Sequence, residues 1–182
     1  KIMTTDLFII SGRLGSGKTT ALKTLEDNGY KCLDNFPVNL LEMLIEKNLK
    51  RSDSKSSAYA VCADSRSESI ELLPEVLEAS SMQGVNVTLI YLDAQSLTLV
   101  KRFSETRRKH PLTSEEIDLR EAINLEAKFL ESIAELADLT IDTTSLTSQD
   151  LEDQIREFII SNKERSPINL VFRSFGFKRG VP

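Results

Sequence analysis

The sequence predicts a three-layer α/β fold with a mainly parallel sheet. Two observations predict it. Short β-branched or apolar runs alternate with longer stretches of helical spacing, the pattern of βαβ units whose sheet is covered on both faces. A glycine-rich loop also follows the first apolar run directly and opens a helical stretch, a strand–loop–helix order.

The strand candidates are Leu7–Ile10, Tyr30–Leu33, Ala58–Ala63, Val85–Leu92, Leu139–Ile141 and Ile168–Phe172. The first helix starts after Gly17 and meets no breaker until Asn28-Gly29, a stop signal. Pro74 is tolerated only at a helix start, so a helix is placed from Pro74 and Asp64–Leu73 is read as mostly loop. Ile123, Ala127, Leu130 and Ala134 recur at helical intervals and predict a buried stripe on a helix running roughly from Ser114 to Leu136. Thr147 to Asp150 forms a capping box. It opens a helix with Leu151, Ile155, Phe158 and Ile159 on one face. Ser52–Ser57 reads as a mobile loop, and no internal repeat is present.

Composition narrows the chemistry. The 182 residues are 40% hydrophobic, 28% charged and 6% aromatic, and are treated as one domain over residues 1–182. A chain of this length buries roughly 70% of its unfolded surface without staples. Cys32 and Cys62 lie in apolar runs and read as reduced core thiols, which suits the cytoplasm. One histidine, His110, and no Cys/His cluster argue against a zinc site or a histidine relay. The net charge of -5 is not that of a dedicated nucleic-acid binder. No apolar stretch is long enough to span a membrane and no secretory leader opens the chain, so a soluble protein is expected.

The glycine-rich loop is Gly12, Arg13, Leu14, Gly15, Ser16, Gly17, Lys18 and Thr19, a full match to G-x-x-x-x-G-K-[ST]. Its glycines let backbone N–H groups point inward around a phosphate, and the following helix N-terminus adds positive potential. Lys18 is placed on the β and γ phosphates of a nucleotide, and the Thr19 hydroxyl on Mg²⁺. The Mg²⁺ side calls for a carboxylate at a neighbouring strand end, where Asp64 and Asp93 compete. Asp64 is favoured because Arg66 follows it and is available to pair with phosphate. Lys18 and Asp64 are therefore expected to carry any catalysis.

Three further features stay open at this level. Asp34, in Asp34-Asn35-Phe36-Pro37, either holds a second substrate or shapes a turn. The basic segment Arg102, Arg107, Arg108, Lys109 and His110 either closes over a transferring phosphate or is a solvated helix end set against the dipole. His110 by itself reads as an incidental exposed histidine. A guanine-reading Asn-Lys-x-Asp is lacking, since the nearest run is Asn162-Lys163-Glu164-Arg165, and base preference stays open.

Together with the loop, Ala21-Leu22, Leu25-Glu26-Asp27, Asp34-Asn35-Phe36-Pro37, Tyr91-Leu92-Asp93-Ala94, Thr106–Leu112 and Ser174–Lys178 resemble the RapZ/YvcJ nucleotide-binding proteins, or RNase adapter proteins, across nearly the whole chain. The resemblance implies a P-loop NTPase fold of the kinase-like type that binds ATP or GTP and hydrolyses it slowly. A second nucleotide-contact segment, Asp-Val-Arg-Asn in the family, reads here Asp64, Ser65, Arg66 and Ser67. It keeps the first and third positions. The resemblance also implies a small RNA and an endoribonuclease as partners, mainly through a basic C-terminal domain expected to lie outside these residues, and allows a homo-oligomer. Competing readings are a small-molecule phosphotransferase using Asp34, and an RNA-interaction module with Arg173, Lys178 and Arg179 at a basic end.

Overall fold

In a computed structural model, residues 6–49, 58–82, 85–106 and 109–164 are described. Five strands form the sheet: β1 (Asp6–Gly12), β2 (Lys31–Leu33), β3 (Tyr59–Cys62), β4 (Asn86–Asp93) and β5 (Leu139–Asp142). Their order is β2-β3-β1-β4-β5, and each pair of neighbours is parallel. Among the described residues seven α-helices accompany them: α1 (Lys18–Asp27), α2 (Leu41–Leu49), α3 (Leu73–Met82), α4 (Ser96–Thr106), α5 (Leu119–Phe129), α6 (Glu131–Glu135) and α7 (Ser148–Glu164).

The apolar runs are continuous because the central strands are buried on both faces. Along β1, Leu7 and Ile9 join one core while Phe8 and Ile10 join the other, as side chains alternate across the pleat. Strand β4 divides the same way, with Leu89 and Tyr91 on one face and Ile90 and Leu92 on the other. Leu41, Ile45, Leu73, Val76 and Ile133 of α2, α3 and α6 cover the first face. Ala21, Leu22, Leu25, Leu151, Ile155 and Ile159 of α1 and α7 cover the second. Each fully buried Leu or Ile contributes about 1.5–3 kcal/mol. The expected three layers are present.

Helix α3 begins one residue before Pro74, whose missing N–H costs nothing in a first turn, and a single 3₁₀ turn at Ile70–Leu72 interrupts the expected loop. The capping box also forms. Thr147 Oγ1 accepts the Asp150 N–H at 3.1 Å, and the Asp150 carboxylate accepts the Thr147 N–H at 2.9 Å.

The long helix expected from Ser114 to Leu136 does not form. Ser114 Oγ accepts the amides of Glu116 and Ile117, which holds that stretch in a turn. Asp118 then caps α5 by accepting the Glu121 N–H at 2.8 Å. Leu130, at φ -96° and ψ 4°, leaves helical geometry and separates α5 from α6. Ala127 and Ala134 are only half-buried, so the true stripe passes through Ile123, Glu126, Leu130 and Ile133.

Cys32 and Cys62 are free thiols, and burial pushes Cys62 up to about 12. No helix among the described residues is long and apolar enough to cross a membrane. The expected strand Ile168–Phe172, the serine-rich loop, Arg107, Arg108 and the C-terminal basic residues lie outside the described residues.

Candidate functional site

The glycine-rich loop leaves the carboxyl end of β1 between β3 and β4, and the ligand crevice of a parallel sheet lies at such strand ends. Gly12, at φ +135°, is pressed against β4, where a Cβ would lie 2.0 Å from the Leu92 carbonyl oxygen. Gly17, at φ +104°, turns the chain into α1 beside Leu151. The loop is braced from outside. Arg102 of α4 donates to the Gly15 carbonyl at 3.1 Å and to the Thr143 carbonyl at 2.7 Å. Thr143 Oγ1 lies 2.9 Å from the Ser16 carbonyl.

The expected site residues fall into two groups. Lys18 is buried, and its Nζ donates to the carbonyls of Gly12 at 2.7 Å and Arg13 at 3.0 Å while sitting 3.3 Å from Asp64 Oδ2. Thr19 is exposed at the mouth beside it. The Ser16 hydroxyl is buried and has no hydrogen-bond partner among the described residues. Asp64 follows β3 and is fully buried. Burial would raise its pKa, but hydrogen bonds from Arg66 and the charge of Lys18 outweigh it and hold the carboxyl below the ordinary value. Arg66 spends its guanidinium on Asp64, at 3.0 and 2.8 Å. Ser67 Oγ accepts the Asp64 amide at 3.0 Å, which completes a tight turn.

Asp93 serves elsewhere. It pairs with the Arg13 side chain at 2.7 Å, and Arg13 also donates to Ser96 and to the Ala94 carbonyl, so this guanidinium points toward the start of α4. Asp34 accepts the Asn35 N–H at 2.9 Å, shaping a turn in which Asn35 has φ +49°, and it also lines the cleft.

Two residues carry more than their sequence context announced. His110 is 2% exposed and hydrogen-bonded, which corrects the reading of an exposed, incidental histidine. Glu126 is fully buried, and its carboxylate accepts from the Leu14 amide, the Ser65 hydroxyl and His110 Nε2. A signal existed, since Glu126 stands three residues after Ile123 and four before Leu130, on the apolar face itself.

A cleft of about 470 Å³ opens over Lys18 and Thr19 and is walled by Asp34, Arg66, Phe103 and Lys109. Another, of about 400 Å³, opens on the other side of Gly15 and Gly17, between Thr20, Arg102 and the stretch from Thr143 to Leu151. The loop therefore sits between two open clefts, with the buried Lys18 lining the larger of the two.

Comparison with known proteins then decides the family, because the RapZ-like N-terminal domain matches residues 5–163. The chain belongs to the RapZ-like N-terminal domain family. Among its curated relatives are nucleotide-binding proteins of Hahella chejuensis, 46% identical, and of Pseudomonas fluorescens, 47% identical. Each alignment covers 97% of this chain and 62% of the relative, so the chain spans less than two thirds of their length. Solved structures similar to this RapZ-like domain include a shikimate kinase from Acinetobacter baumannii, with a TM-score of 0.57, 19% identity and coverage of 90% of this chain and 97% of that one. A gluconokinase from Sinorhizobium meliloti gives a TM-score of 0.56 at 14% identity, covering 88% of this chain and 94% of that one. At such identities the likeness fixes the fold: the RapZ-like domain is an α/β P-loop domain of the kinase-like type. Its family supports nucleotide binding.

Proposed function

We propose that this RapZ-like domain is a regulatory module that binds ATP or GTP with Mg²⁺ and hydrolyses it slowly. The observation that carries the reading is the meeting of Lys18 with Asp64 at 3.3 Å beneath the glycine-rich loop. An incoming phosphate would replace the loop carbonyls as the acceptor for Lys18, with the amides at the start of α1 completing its cradle. The unpartnered Ser16 hydroxyl fits the same role, since a buried donor without an acceptor is costly until a ligand supplies one.

Among the described residues no group of three or more His, Cys, Asp or Glu side chains is placed to hold a metal ion. Mg²⁺ in this setting would rest on Thr19, on the Asp64 side of the loop and on the nucleotide's own phosphates, as a hard cation with few protein ligands does. It would supply charge neutralisation along the phosphates. Asp64, kept ionised by Arg66 and Lys18, would hold that end of the site electrostatically fixed. Gly12 to Thr19 form the phosphate cradle in this proposal, and Asp64, Ser65, Arg66 and Ser67 stand as the second nucleotide-contact segment.

The proposal extends to the longer relatives as the family resemblance suggests: a cytoplasmic, homo-oligomeric adapter whose nucleotide state biases its handling of a small RNA and an endoribonuclease. A second reading, phosphotransfer to a small molecule, is favoured by the larger cleft, where Asp34 and Lys109 face the space over Lys18.

The test is a calorimetric titration of the chain with ATP, GTP and their non-hydrolysable analogues in Mg²⁺, with Lys18→Ala as control. Micromolar binding abolished by the substitution is the expected result, and no binding by the intact chain would overturn the reading. Turnover assays separate the two functions: a hydroxyl-bearing metabolite that accelerates ATP consumption and emerges phosphorylated would favour transfer over slow hydrolysis.

A further inference from the structure

We propose that Glu126 is a positioning residue that sets the resting geometry of the phosphate loop, acting through a single peptide plane. A fully buried carboxylate is expensive, and an apolar side chain at this place in the α5 stripe would stabilise the fold at lower cost. Its neighbours on the same face, Ile123 and Leu130, are apolar. What distinguishes Glu126 is its set of partners. The Leu14 amide lies 3.2 and 3.1 Å from its two oxygens, the Ser65 hydroxyl 2.5 Å from Oε1, and His110 Nε2 3.1 Å from Oε2. His110 Nδ1 accepts the Leu112 N–H at 3.2 Å, so Nε2 is the nitrogen that carries the hydrogen and donates. Three donors thus converge from three separate segments: the loop, the turn that holds Asp64, and the stretch beside Lys109.

The Leu14 contact has a geometric consequence. The Leu14 N–H and the Arg13 carbonyl belong to one trans peptide, in which they point in opposite directions. Glu126 takes the N–H on one side, and Lys18 Nζ lies 3.0 Å from the Arg13 oxygen on the other. Fixing that plane fixes where the lysine waits. Through Ser65 the same carboxylate ties the loop to the residue next to Asp64, and through His110 to the residue next to Lys109. Lys18, Asp64 and Lys109 are therefore held in register by a residue that lines neither cleft.

This inference rests on the nucleotide reading for its binding readout, so a ligand-free readout accompanies it. Glu126→Gln keeps the shape but places an amide donor among three donors. In the full chain it is expected to weaken MgATP binding by roughly tenfold, the loss of one charge-assisted hydrogen bond, and to accelerate hydrogen exchange of the Leu14 amide measured by NMR without nucleotide. A merely structural Glu126 would lower the melting temperature alone, leaving affinity and Leu14 exchange unchanged well below melting, and that result overturns the proposal. If Glu126→Gln does not fold, Ser65→Ala, which removes one donor to Glu126, decides by Leu14 exchange without nucleotide, because Ser65 also stands in the proposed nucleotide-contact segment. Faster Leu14 exchange in that variant supports the role, and unchanged exchange overturns it. A wild-type chain that binds no MgATP would fail the nucleotide reading, while Leu14 exchange still decides the peptide-orienting role.

Discussion

Asp138, at the surface, and Asp64, buried beside two cations, shift in opposite directions. Partial desolvation raises the pKa of Asp138, and the hydrogen bond its carboxylate accepts from the Leu89 amide at 2.7 Å offsets this only in part. The folded chain therefore holds the Asp138 proton more tightly than the unfolded chain. The stability this contributes is full below the ordinary value of 3.8 and is lost as pH rises through the higher folded pKa. Asp138→Asn, which keeps a carbonyl acceptor for Leu89, is expected to raise the melting temperature at pH 7 relative to wild type. The gap should close near pH 3.5, and thermal unfolding at the two pH values checks it. For Asp64 the sign is reversed, because Arg66 and Lys18 favour the charged form. Its contribution is present at neutral pH and is lost as pH falls below 3.8 through the lowered folded pKa. At neutral pH the partly desolvated Asp138 carboxylate weighs slightly against the fold, and the buried Asp64 carboxylate supports it.

At the scale of elements, the capping box of α7 offers a direct measurement. Thr147→Ala removes the acceptor for the Asp150 amide and is expected to cost about 1 kcal/mol, read from urea unfolding. That cap was legible because its chemistry is local, spelled out within four residues. Pro74 was legible for the same reason. The phosphate loop was legible because glycine spacing, lysine and threonine must be contiguous to do their work. Helix α5 was less so, since Ser114 and Asp118 each compete with helix by bonding nearby amides, and periodicity alone does not weigh that competition. Glu126 and His110 were harder still. A glutamate on a helix reads as solvated, and its meeting with Leu14, Ser65 and His110 depends on segments up to 112 positions apart in the chain. Arg66, expected to be available to phosphate, is bonded to Asp64 instead, and neither that contact nor the pairing of Asp93 with Arg13 had a cue in the sequence.

At the scale of the whole molecule, the two main cores lie on opposite faces of the sheet. Leu73 and Ile155 are both fully buried, one on each face. Truncating either to Ala is expected to cost about 2–5 kcal/mol, and the two losses should add to within about 0.5 kcal/mol because they share no partner. Denaturant unfolding of the single and double variants checks this. The same architecture gives the loop an unequal set of constraints. Gly12 has no room beside the Leu92 carbonyl, whereas a Cβ at Gly15 would meet first a leucine methyl 3.5 Å away. A mutational library selected only for a folded, soluble chain, with no nucleotide in the assay, would therefore already be emptied at position 12. Depletion there reports how closely two strands sit, and only the losses that appear once ligand is required, at Lys18 for example, speak about phosphate.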